Sequence, residues 1–145
     1  MPSRFRKRLA SGYRSKFEER IAGELTKAKV KFSYEAVRLS YFVKVHNAYC
    51  LKCLTAAVSL RKYTPDFRMA NGLILETKGK FTAKDRAKME AVVEEHPDKN
   101  IRMLFMADNK INKNSKTRYS DWCKKVGIKY AVGKLPKSWI KEFKR

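Results

Sequence analysis

Three cysteines among 145 residues are too few, and odd in number, for a disulfide framework. No apolar run reaches the roughly 18 residues that a membrane span needs. No predicted helix joins a strongly apolar face to a basic one, so a membrane is not an expected partner. Glycine (6) and proline (4) are scarce, and no internal repeat or domain-sized linker is visible. Met1-Pro2-Ser3-Arg4-Phe5 opens a basic segment without an apolar signal-peptide core, so a cytoplasmic, non-secreted protein is expected. Acid is scarce beside base: 14 Asp and Glu face 35 Lys and Arg, a formal net charge of +21.

What is present is enough to fold. Apolar residues make up 43% of the chain, well above a disordered composition, and the length predicts one domain. So large a positive excess costs stability by self-repulsion and attracts polyanions, which makes nucleic acid the leading partner class. The ends are the most cationic parts. Residues 1–33 carry ten basic side chains against Glu18, Glu19 and Glu24, and residues 110–145 carry twelve against Asp121 and Glu142. Residues 1–14, with Arg4, Arg6, Lys7, Arg8 and Arg14, read as a flexible basic arm that orders on phosphate. Lys16 and Lys80, and then Lys113, Lys116, Arg118, Lys124 and Lys125, are the further phosphate-contact candidates.

Residues 15–145 read as a single α/β domain with a mixed sheet flanked by helices. Ser15 and Glu18 have capping-box spacing for a helix over 16–28, with Phe17, Ile21, Leu25 and Ala28 as its apolar stripe. Residues 30–45 read as strand, and 43–62 as a bridging or inserted segment, helical or extended. Asn71-Gly72 marks a hairpin within 63–78. Thr82 and Asp85 cap a helix over 83–95. Ile101 to Ala107 fits a central strand. A helix over 118–126 ends at Gly127, an edge strand follows over 128–132, and Pro136 starts a last helix.

The informative stretch is Pro65-Asp66, nine residues, then Glu76-Thr77-Lys78. Two residues apart on a strand, Glu76 and Lys78 share a face. Phosphodiester hydrolysis needs a nucleophilic water, charge stabilisation at the phosphoryl oxygens and help for the leaving oxygen, which one or two Mg²⁺ ions supply. Magnesium takes hard oxygen ligands, a few carboxylates plus waters, and an ammonium beside it holds the water or neutralises developing charge. Asp66 and Glu76 bind one ion only if they share a face. A two-residue Asn71-Gly72 loop puts them on opposite faces. A three-residue loop, Ala70 to Gly72, pairs them, and it or a bulge having the same effect is therefore predicted. A third carboxylate is wanted, with Glu18, Glu19 and Glu35 as candidates.

The pattern is that of PD-(D/E)xK, restriction-endonuclease-like nucleases, and the wider sequence is more specific. YRSKFEERI at 13–21, VKFSYE at 30–35, YTPDF at 63–67, NGLILETKG at 71–79, EEHPDKNIRMLF at 94–105, YSDWCKKVGIKYA from 119 and LPKSWIKE from 135 together resemble the phage T7-type endonuclease I family of Holliday-junction resolvases. The resemblance implies a catalytic set of Glu18, Asp66, Glu76 and Lys78, with the three carboxylates as ligands to Mg²⁺, for which Mn²⁺ substitutes. It also implies an intertwined, domain-swapped homodimer that nicks branched DNA, with Glu18 drawn from one subunit and Asp66, Glu76 and Lys78 from the other. A phage origin would put the protein in the host cytoplasm. The chain departs from the family between Val43 and Tyr63, where its connection is longer and carries His46, Cys50 and Cys53.

Lesser signals have plainer readings. His46, Cys50 and Cys53 have ligand-like spacing for zinc, with Cys123 or His96 as a fourth ligand, but buried apolar-type cysteines are the commoner case. His96 reads as a helix-end residue, and Tyr119, Trp122 and Trp139 as core. No organic cofactor is expected. The rival functions are a PD-(D/E)xK nuclease acting on sequence-specific or linear DNA and a non-catalytic basic DNA-binding protein.

Overall fold

The computed structural model describes residues 8–53 and 55–145, without the side chains of 46, 47 and 56. Arg4, Arg6 and Lys7, and the His46 side chain, lie outside the described residues. Among the described residues, seven strands and four helices follow in the order α1 (Lys16–Lys27), β1 (Phe32–Tyr34), β2 (Leu39–Tyr49), β3 (Ala56–Tyr63), β4 (Phe67–Met69), β5 (Ile74–Lys78), α2 (Ala83–Glu95), β6 (Ile101–Phe105), α3 (Tyr119–Val126), β7 (Lys129–Val132) and α4 (Lys137–Phe143).

Five strands form one mixed sheet in the order β1-β4-β5-β6-β7. β1, β4 and β5 are antiparallel neighbours, whereas β5, β6 and β7 run parallel. The parallel pairs need crossovers, which α2 and α3 provide. β6 is central and buried along its whole length, as a strand covered on both faces must be. α1 and α4 cover one face, where Ile21, Leu25, Phe67, Leu75, Leu104, Trp139 and Phe143 pack. α2 and α3 cover the other, with Tyr63, Ile74, Met89, Met103, Phe105 and Trp122. No helix among the described residues is long and apolar enough to cross a membrane.

The caps explain the helix starts. Ser15 Oγ accepts the Glu18 amide at 3.1 Å, and Thr82 and Asp85 form a complete capping box on α2, each satisfying amides the helix leaves free. Gly127 ends α3 at φ 80°, which costs an L side chain energy but not glycine. Pro136, the predicted first residue of the last helix, stands at the N-cap of α4, which starts one residue later at Lys137.

One expectation changes. Residues 30–45 are not one strand: Glu35 turns left-handed at φ 47° and separates β1 from β2. β2 then leaves the main sheet and pairs with β3 over 39–63 as a long two-stranded hairpin. Its base packs on the core through Leu39, Tyr41 and Tyr63, and the His96 ring nitrogen donates to the Ser40 carbonyl at 2.7 Å. β6, the expected central strand, carries one charged residue in its apolar run. Arg102 is fully buried, its guanidinium paired with Glu142 and lying over the Trp139 and Phe143 rings at 5.1 and 5.5 Å.

Candidate active site

The turn between β4 and β5 aligns the acids. The Met69 amide donates to the Leu73 carbonyl at 2.8 Å, so the loop consists of residues 70–72, with Gly72 at φ 88°. Phe67 then faces Leu75 and Arg68 faces Ile74. One step further along that register, Asp66 stands opposite Glu76, as the three-residue loop requires. The Asp66 amide points at Glu76 Oε2, 3.4 Å away.

Glu76 is buried at 2% exposure on a central strand, a costly place for a carboxylate without partners. It has them. Tyr63 donates its hydroxyl to Oε2 at 2.7 Å, and Lys78 Nζ lies 2.9 Å from Oε1. Asp66 Oδ2 accepts both the amide and the hydroxyl of Thr77, at 2.8 and 2.7 Å. Its other oxygen accepts no hydrogen bond from the described residues. Lys78 also approaches Asp85 at 4.0 Å, at the start of α2.

These contacts leave the pair of acids electrostatically unbalanced. Burial first, then the neighbouring charge of Glu76, pushes the Asp66 carboxyl up to about 8, although Lys78 and the two Thr77 hydrogen bonds oppose the shift. Burial works against the charge on Lys78, but Glu76 and then Asp66 outweigh it, and its pKa is raised. Lys78 is therefore an ammonium at neutral pH, not a free base. Burial and the adjacent Glu76 likewise raise the Tyr63 phenol. With both acids ionised, Asp66 and Glu76 outnumber the one ammonium between them, and the proton held on Asp66 is what balances the cluster.

A model of the family described as phage endonuclease I matches residues 1–145, the whole chain. The chain belongs to this family. It is 34% identical over 139 residues to "Endonuclease I" of Escherichia phage T7, covering 95% of this chain and 85% of that protein. It is also 34% identical over 134 residues to "Endodeoxyribonuclease 1" of Enterobacteria phage T3, covering 92% of this chain and 80% of that protein. Membership in a family of endonucleases gives the buried acids and their lysine a chemical context.

Not every sequence-predicted residue joins the cluster. Glu18 takes the Tyr34 hydroxyl at 2.5 Å, the Ser15 hydroxyl at 2.9 Å and the Arg14 amide at 3.2 Å. Burial and that bond raise the Tyr34 phenol. Glu35 is held by Arg8 and Arg14 at 2.6 and 2.8 Å. Among the described residues, no group of three or more His, Cys, Asp or Glu side chains is arranged to hold a metal within this one chain. Lys16, Lys80, Lys113, Lys116, Arg118, Lys124 and Lys125 are all exposed. Arg118 spends part of its guanidinium on the Asp108 carbonyl at 2.7 Å, and Lys124 lies 3.9 Å from Asp121.

Sequence reasoning missed three participants: Tyr63, Thr77 and Asp85. Tyr63 carried a signal, standing three residues before Asp66 in YTPDF. Asp85 was read only as a helix cap, although α2 begins five residues after Lys78. Thr77 points to the opposite face by strand alternation, and its bond to Asp66 arises because Asp66 lies just beyond the end of β4.

Proposed function

We propose that the chain is a divalent-metal-dependent endodeoxyribonuclease that cuts branched DNA, four-way junctions above all. In this reading the sheet and its two helical layers are a PD-(D/E)xK core. The observation that carries it is the approach of the Asp66 amide to the Glu76 carboxylate at 3.4 Å and the contact of Lys78 with Glu76 at 2.9 Å. Asp66 and Glu76 would hold Mg²⁺ or Mn²⁺, which supplies Lewis-acid stabilisation of the phosphoryl oxygens and a more acidic water.

The chain's own residues do the rest. Lys78, charged in this setting, would sit where negative charge builds as the water oxygen bonds to phosphorus and the bond to the 3′ oxygen breaks, with the water proton passing to solvent and the leaving 3′ oxygen taking one from it. Tyr63 and Thr77 fix the two carboxylates by one and two hydrogen bonds. The exposed lysines and the net charge of +21 favour contact with phosphates, which orients DNA without reading its bases. Selectivity for branches then rests on shape and on the ease of opening the helix.

An intertwined homodimer, with two metal sites related by a two-fold axis, suits paired nicks on a four-way junction. Glu18 is the third carboxylate of this reading, delivered by the helix of one subunit to Asp66 and Glu76 of the other. The test is cleavage of a four-way junction against matched linear duplex in Mg²⁺, run beside a solution measurement of mass. Preferential paired cutting of the junction by a dimer supports the proposal. Equal cutting of linear duplex favours a degradative or sequence-directed nuclease. Binding without cutting in any divalent metal overturns it.

A further inference from the structure

Cys50 and Cys53 are free and exposed, contrary to the buried role expected of cysteines without a partner. The feature that points to a ligand lies elsewhere, at the end of the main sheet away from the catalytic cluster. There Lys29, Lys31, Lys144 and Arg145 line a cavity of about 470 Å³ together with Asn71 and Phe143. All four cations are exposed. Among the described residues no carboxylate pairs with any of them. Glu142, the nearest acid along the chain, gives its carboxylate to buried Arg102 instead. Asp98, which shares a neighbouring hollow with Asn71 and Arg145, is paired with Lys99. α1 and α4 both end beside the cavity, and the carbonyl end of a helix favours cations. Each end is worth about half a charge, so the two together balance about one cation of the four.

Three chain segments are fastened together beneath these cations. The Ala70 amide donates to the Lys31 carbonyl at 3.0 Å. Asn71 Nδ2 donates to the Glu142 carbonyl at 2.8 Å, and its Oδ1 accepts the Leu73 amide at 3.2 Å. The α1–β1 link, the β4–β5 loop and the end of α4 are thereby held to one another. Lys29 adds an independent sign. Its amide donates to the Thr26 carbonyl at 2.9 Å, and the Val30 amide donates to the Leu25 carbonyl at 3.0 Å. These are the two bonds of a Schellman stop on α1, with Lys29 left-handed at φ 58°. Glycine is the residue such a position favours. A lysine there costs backbone energy and delivers a cation to the cavity.

The place of the cavity in the fold narrows its ligand. Gly72 and Glu76 are four residues apart, about 13 Å of extended chain, so the cavity and the acids do not hold the same phosphate. The faces differ too. Phe143 belongs to the layer of α1 and α4, whereas Glu76 turns to Tyr63 in the layer of α2 and α3. A straight duplex seated on the acids therefore leaves the cavity empty, but a branched one sends further arms in other directions. We infer that Lys29, Lys31, Lys144 and Arg145 grip the phosphodiester backbone of a DNA arm other than the one being cut. The inference rests on the branched-DNA reading. The contact is to phosphate, so it adds affinity through counterion release without reading bases.

The test measures binding, in chelator so that nothing is cut, of a four-way junction and of a short linear duplex over a series of KCl concentrations. The unaltered chain is compared with the joint variant Lys29→Gln, Lys31→Gln, Lys144→Gln and Arg145→Gln. Each lost phosphate contact makes log affinity fall less steeply with log salt, by about 0.9 in slope. The junction slope should flatten by up to about 3.6 and the duplex slope should stay. Lys29→Gly is the second variant. It relieves the left-handed backbone, so it should fold at least as well as the parent while flattening the junction slope by about 0.9. A control that neutralises Lys52, Lys62, Lys134 and Lys137, exposed lysines outside the cavity, should leave both slopes unchanged. Equal flattening by the control, or equal flattening on linear duplex, would overturn the inference. So would calorimetric binding of inorganic phosphate by the parent with no change of DNA slope in either variant, which would make this a small-anion site. A parent that prefers the junction while both variants keep its slope refutes the inference alone. A parent with no preference for the junction refutes the branched-DNA reading and the inference with it.

Discussion

Tyr63 donates its hydroxyl to Glu76 Oε2 at 2.7 Å, and both side chains are buried. The phenol is thus the fixed donor on one oxygen of a carboxylate whose other oxygen faces Lys78. Tyr63→Phe keeps the ring and deletes the donor. It leaves a buried acceptor short of a partner, at a cost of about 1–3 kcal/mol in denaturant unfolding. As a positioning residue for a proposed metal ligand, its loss should also weaken the Mg²⁺ dependence of cleavage about 10–100-fold. Unchanged Mg²⁺ titrations alongside reduced stability would assign Tyr63 a purely structural role.

The raised Asp66 carboxyl makes a signed prediction about pH. The folded chain keeps a proton on Asp66 up to about pH 8, whereas an ordinary carboxyl releases it near 3.8. Between those values the folded state binds the extra proton, so the contribution to stability is complete below 3.8 and is lost as pH rises toward 8. Metal-free protein should therefore lose stability over that window, and Asp66→Asn should flatten the slope. Mg²⁺ binding at neutral pH should release a proton, seen as a buffer-dependent heat in calorimetry. A flat profile in chelator would show that Asp66 is not raised.

Much of this site was legible because its chemistry constrains the backbone. One ion cannot be shared by acids on opposite faces, so the need to pair Asp66 with Glu76 chose a three-residue loop over the two-residue turn that Asn71-Gly72 most readily signals. The helix caps at Ser15 and Thr82 and the stop at Gly127 were legible from local hydrogen-bond chemistry. The break at Glu35 was not read, although its trace was there. Phe32 and Tyr34 are even-numbered, whereas Val37, Leu39, Tyr41 and Val43 are odd, and such a parity switch needs a kink. The hairpin over 39–63 was obscured by Phe42, Val58 and Leu60, apolar residues on an exposed face that look like core in a linear pattern. Arg102 was invisible because only tertiary structure reveals Glu142 and the two rings around it.

That buried arginine gives an asymmetric prediction. Arg102 is fully buried, whereas Glu142 keeps 39% of its side chain exposed. Removing the acid leaves a charge stranded in the core, and removing the arginine leaves a carboxylate that water can reach. Glu142→Gln should therefore cost more stability than Arg102→Met, which still fills space against Trp139 and Phe143. Urea unfolding of the two variants decides the order. The reverse ranking would mean that the stacking of the guanidinium on the rings outweighs its ion pair.

Lys78 separates holding a metal from stabilising charge. Its ammonium lies 2.9 Å from Glu76 and is kept protonated by Glu76 and Asp66, so a role as proton acceptor is disfavoured. Lys78→Met removes one positive charge from beside two acids. The site becomes more negative, and divalent cation binding should be retained or tightened. Cleavage at saturating Mg²⁺ should nevertheless fall about 10²–10³-fold, the usual cost of losing one preorganised charge stabiliser. Glu76→Gln should instead lose metal binding and cleavage together. Lys78→Arg keeps the charge but replaces a compact ammonium with a planar fork, and it should recover only part of the rate. Single-turnover cleavage and metal-binding titrations on the same preparations test this split. Full-rate cutting by Lys78→Met would remove the lysine from the catalytic set and, with it, the electrostatic account of the site.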